Sequence, residues 1–216
     1  MANADRPRGF TPVRHLNGSP WNGAVEVFYH STADATAIYK GELVIGIVGL
    51  AGAGSDPLGK FPGCIAASKA AQDTQHLLGV AWTFGNTPDV AARVDNLNAA
   101  NYCPASTGMY IGVITDPSTV FSIQDSGGTA LTAVQIGSYI DISTFTSATA
   151  CGSTTTGRSY MEVDTSSIGA SNAHMCRVLR LSPRPDNELS SWADWEVIIN
   201  YHIDKQIPAS TGYAST

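Results

Sequence analysis

Charge is sparse in this sequence. Asp, Glu, Lys and Arg make up 14% of its 216 residues, and the formal net charge is −6. Ordinary soluble domains carry roughly 25%. A nucleic-acid-binding surface needs clustered Lys and Arg to neutralise phosphates, so no nucleic-acid partner is expected. No run approaches the ~20 apolar residues of a membrane-spanning helix, and no apolar signal region follows the first charges. No membrane partner is expected either, and the chain reads as one made in the cytoplasm. The cysteines, Cys64, Cys103, Cys151 and Cys176, show no C-x-x-C spacing. That argues against a zinc site or a disulfide framework and for isolated, packed thiols.

Signatures of catalysis are missing or broken. His15, His30, His76, His174 and His202 never take H-x-x-x-H or H-E-x-x-H spacing, so no metal is expected. No serine sits in a G-x-S-x-G elbow. The stretch "GSDPLGK" at 54 to 60 fits G-x-x-x-x-G-K after an apolar run. Phe61 nevertheless stands where a hydroxyl would hold magnesium, and Pro62 and Gly63 fall where a helix should aim its amides at phosphate. Gly52 and Gly54 are followed by Pro57, which fails the dinucleotide pattern. Asp186, Glu188, Asp194 and Glu196 could pair for acid–base work. Asp186 and Asn187 behind Pro185 are, however, what a turn requires. The expectation is a protein that is not an enzyme and binds no cofactor.

What the chain does carry is β patterning. Val25, Val27 and Tyr29 alternate with Glu26 and His30, "ELVIGIVGL" at 42 to 50 is a continuous apolar run, and in "LLGVAWTF" Leu78, Val80, Trp82 and Phe84 share one face. Further strands are expected at 109–115, 120–124, 159–163, 177–181 and 195–201. Thr132 and Gln135 stand at capping-box spacing with Gly137 behind them, enough for one helical turn. Residues 89–100 read as loop. Residues 1–23 hold three prolines, three glycines and no period, so they form an extended N-terminal arm. Together these predict an all-β fold: a single β-barrel or jelly-roll-like β-sandwich over residues 24–216, with at most one or two short helices.

Four stretches carry a family resemblance: "RPRGFTPVRHLNGSPWNG", then "ASTGMYIGVITDPSTVFSIQDSG" with "LTAVQIGSYIDI", then "TTTGRSYMEVDTSS", and last "CRVLRLSPRPDNELSSWADWEVIINYH". In this order they resemble the head decoration, or cement, proteins of tailed bacteriophages. The resemblance implies a structural virion protein on the outer surface of the capsid that bridges major capsid protein subunits and associates with itself as a dimer or trimer. A carbohydrate-binding or adhesin-type β module on the virion surface is the alternative. Arm residues Arg6, Arg8, Phe10, Arg14 and Trp21 are expected contacts to capsid or a sister subunit. So are Arg184, held between two prolines, and Trp192, because Arg and Trp are favoured interface anchors. Trp195 points inward or outward depending on the strand register.

Overall fold

The computed structural model describes residues 3–47, 56–67, 77–88, 100–143, 151–169 and 174–205. These residues are mostly β with almost no helix. An antiparallel sheet of order β1-β9-β12-β11-β10 is built from β1 (Thr11–His15), β9 (Thr119–Gln124), β12 (Asp194–Ile199), β11 (Cys176–Leu181) and β10 (Tyr139–Ile140). The central strands β9 and β12 are buried along their whole length. A second set comprises β2 (Glu26–His30), β5 (Gly63–Ala66), β4 (Leu43–Ile47), β6 (Gly79–Gly85) and β8 (Met109–Ile114), each paired with the next. Its pairing order is cyclic: β8 returns antiparallel to β2, and β2 meets β5 in parallel through the single pair Tyr29 with Gly63. A small ribbon joins β3 (Ile38–Tyr39) to β7 (Tyr102–Cys103).

Strand alternation divides the apolar residues between two cores. One face of the five-stranded sheet contributes Phe121, Ile123, Cys176, Val178, Trp195, Val197 and Ile199, and these pack with Leu43, Val80 and Ile114 from the cyclic set. The opposite faces of the cyclic strands supply Phe28, Val44, Cys64, Ala81, Phe84, Ile111 and Val113 to the second core. Strand β6 is therefore apolar on both faces, and the single-faced reading of Leu78, Val80, Trp82 and Phe84 does not hold. Val80 and Trp82 belong with the first core, Leu78 and Phe84 with the second. The register slip between Ala81 and Thr83 lies between Val80 and Phe84 and sets those two on different faces, while Leu78 precedes the strand.

Other differences have equally local causes. Residues 159–163 form isolated bridges, Ser159 with Gly152 and Val163 with Asp125 and Ile142, in place of the expected strand. Thr132 to Gln135 do make a single 3-10 turn, in which the Gln135 side chain accepts the Thr132 N–H at 2.5 Å. The loop expected at 89–100 lies outside the described residues except for its last position, as does the end of the run at 42–50.

The N-terminal segment runs along its own body. Phe10 is 0% exposed, with its ring edge-on to Phe121 at 5.7 Å, and its N–H donates to the Gly41 carbonyl at 2.9 Å. Thr11 to His15 continue as the edge strand β1 beside β9. Pro12 is tolerated because an edge strand leaves one side without a partner, and the register slips between Pro12 and Arg14.

Candidate functional site

The connection from β11 to β12 is fixed by amide side chains. Asn187 donates to the carbonyls of Ser182 (3.0 Å) and Asp194 (2.8 Å) and accepts the Asp194 N–H (2.9 Å), so it ties both ends of the connection together. This exceeds the local capping that the Pro185, Asp186, Asn187 order suggests. Asn3 donates to the Glu188 carbonyl at 2.8 Å and accepts the Glu188 N–H at 3.0 Å. Gln124, at the end of β9, accepts the Arg6 N–H at 2.8 Å and donates to the carbonyls of Ala4 (2.7 Å) and Trp192 (3.0 Å). The N-terminal segment is thus stitched onto the connection.

Beneath it lies Asp125, fully buried. Its carboxylate accepts the N–H groups of Trp192 (2.7 Å), Gly127 (3.0 Å) and Ala193 (3.2 Å) and the Trp195 indole N–H (3.2 Å). Burial pushes its pKa up, and these donors pull it back only in part. The two tryptophans are separated by this anchor. Trp195 is 0% exposed in the core, whereas Trp192 keeps 38% of its surface open. Trp192 has φ +58°, a left-handed conformation that bulky residues rarely adopt.

On the outer face of the sheet, Asp194 and Glu196 are two residues apart on β12 and therefore share a side. Each is clasped by two arginines. Asp194 accepts from Arg8 at 2.8 Å and Arg184 at 2.6 Å. Glu196, whose side chain is 1% exposed, accepts from Arg14 at 2.8 Å and from Arg180 at 2.8 and 2.9 Å. Burial works to raise the Glu196 pKa, but the arginine hydrogen bonds win and hold it below the ordinary range. Arg184 also grips Asp186 through two parallel bonds of 3.0 Å.

A cavity of about 250 Å³ opens where the N-terminal segment meets this row, lined by Arg6, Arg8, Arg184, Asn187, Trp192 and Asp194 among others. Four of the seven residues expected to make contacts, Arg6, Arg8, Arg184 and Trp192, therefore gather at one place although they are scattered over the chain. The other three lie elsewhere. Phe10 is in the core, so its ring serves the monomer and offers no exposed anchor. Arg14 sits one step along the row at Glu196. Trp21 packs edge-on to Trp82 at 5.6 Å. Sequence reasoning missed Asn3 and Gln124 as supports and Asp194 as the shared acceptor. The only signal for the last was its two-residue spacing from Glu196.

The remaining sequence features resolve locally. The N–H groups of Leu58, Lys60 and Phe61 all donate to the Asp56 carboxylate, at 3.1, 2.8 and 3.1 Å, so the glycine-rich loop has its amides occupied by an acid. All four cysteines are free and buried, and burial pushes the Cys103 thiol up to about 12. Among the described residues, no group of three or more His, Cys, Asp and Glu is placed to hold a metal ion. No family model, curated protein or solved structure matches this chain.

Proposed function

We propose that this chain is a non-enzymatic virion protein that decorates the outside of a tailed-phage head and bridges major capsid protein subunits, acting as a dimer or trimer. The observation that carries this reading is the gathering of Arg6, Arg8, Arg184 and half-exposed Trp192 around one cavity. Arg and Trp are the residue types that most often dominate protein interfaces, and here they are pre-positioned by Asn3, Gln124, Asn187 and Asp125, which lowers the ordering cost of docking. The order of the four sequence stretches supports the same reading. We take the cyclic strand set as a small closed barrel that carries the docking sheet on its side.

Sedimentation of undecorated heads with the purified chain tests the proposal. The wild type should pellet with heads at saturable stoichiometry; Arg6→Gln should bind more weakly with an unchanged melt, and the double variant Arg6→Gln, Trp192→Ala at least tenfold more weakly while still melting cooperatively. A wild type that stays in the supernatant would overturn it. Trp192 beside Asn187 and Asp186 also favours a sugar-binding surface as second reading, and saturable glycan binding without head binding would select that instead.

A further inference from the structure

We propose that the cavity is a carboxylate socket, which receives one Asp or Glu side chain of the protein on which this chain docks. The inference rests on the docking reading for the source of the carboxylate, and on the cavity alone for its chemistry. The lining holds three arginines and two aspartates, so it is net positive on a chain of net charge −6. Asp5 and Glu188 are not among the lining residues. One lining arginine has its charge to spare: among the described residues the exposed Arg6 guanidinium has no hydrogen-bond or ion-pair partner, while Arg8 and Arg184 converge on a single oxygen of Asp194.

Two features select a carboxylate. Arg8 and Arg184 already hold carboxylates here, Asp194 from two sides and Asp186 by the parallel two-bond geometry, and Arg6 beside them offers the same planar donor set to a planar monoanion. A dianionic phosphate would face Asp186 and Asp194 with one net positive charge to balance it. At about 250 Å³ the cavity is also smaller than the roughly 300–1,000 Å³ of small-molecule sites. It has room for a side chain, with the Trp192 indole as an apolar rim for its methylenes.

The test is a titration of the isotope-labelled full chain, at fixed ionic strength, followed through the Trp192 indole and Arg6 side-chain N–H resonances. The probes are N-acetylglutamate α-amide, its glutamine counterpart and inorganic phosphate. The glutamate probe should give saturable shifts confined to the cavity, weakened at least threefold in Arg6→Gln at an unchanged melting temperature. The glutamine probe should give none, and phosphate should bind more weakly. Equal shifts with the glutamine probe, tighter phosphate binding, or no effect of Arg6→Gln would overturn the socket. Because the titration uses no heads, a flat titration beside full head decoration sinks the socket alone, and saturable carboxylate binding beside failed decoration sinks the docking reading alone.

Discussion

Gly127 and Trp192 hold each other in backbone conformations that few residues adopt, with φ of +67° and +58°. A Cβ on Gly127 would overlap the Trp192 indole nitrogen, so the indole lies flush on the glycine. Gly127→Ala should therefore cost on the order of 1–3 kcal/mol and shift the indole environment. Adding Trp192→Gly removes both the overlap and the strain at 192. The double variant should consequently be more stable than the sum of the single losses, which chemical denaturation of the four proteins would measure. Simple additivity would contradict the contact. Glu42 makes a separate demand on pH. It is 1% exposed, and burial pushes it up to about 8, against the pull of one hydrogen bond from the Tyr39 N–H. The unfolded chain releases this proton near 4.5 while the folded protein keeps it, so stability is fully present below about 4.5 and is lost as pH rises towards 8. Glu162, raised to about 7 by burial and by Asp5 and Asp125, adds with the same sign. At roughly 1.4 kcal/mol per pH unit, Glu42 alone amounts to several kcal/mol. The melting temperature should fall between pH 5 and pH 8, and Glu42→Gln should flatten that fall; an unchanged slope in the variant would contradict the assignment. Glu196, held below its ordinary value, acts in the opposite sense and at lower pH.

Strands were legible in the sequence where alternation or a continuous apolar run marked them. The alternation at Val25, Val27 and Tyr29 led to β2, and the apolar run from Leu43 to β4. Strand β6 misled because alternation cannot reveal that both faces are covered, and residues 159–163 misled because their β-like composition meets several partners by single bridges. The candidate site was half legible. Arginines among prolines and a tryptophan in a turn marked segments that meet at the cavity, but no local period encodes the contact of Arg8 with Asp194 across 186 positions. Strand β1 was not legible, since the prolines and glycines of residues 1–23 conceal an edge strand anchored by Phe10. Phe10→Ala should cost about 3–5 kcal/mol. Deleting residues 1–20 should lower the melting temperature by removing that ring and uncovering the edge of β9. A truncated chain that melts with the wild type would show that the segment is a dispensable tether.

The whole molecule is acidic, yet its outer sheet face sets four arginines on two buried carboxylates and adds Arg6 at the cavity. Under the docking proposal this face would meet an acidic partner, while the acidic remainder would be repelled by it, which favours one docking orientation. Exposed ion pairs are screened by salt, so head binding should weaken steadily from 50 to 500 mM salt, and the slope should be shallower in Arg6→Gln. A salt-independent affinity measured by sedimentation would mean that the arginine face is not what docks. On the proposed dimer or trimer each attachment could be modest, because an oligomer bound at one subunit would present the next to the lattice at high effective concentration. The most direct measurement is a cryo-electron density map of heads decorated with this chain. The proposal predicts subunits on the outer shell with the cavity formed by Arg6, Arg8, Arg184 and Trp192 turned to the capsid and an acidic side chain entering it; a bare shell, or subunits bound with that cavity facing solvent, would contradict it.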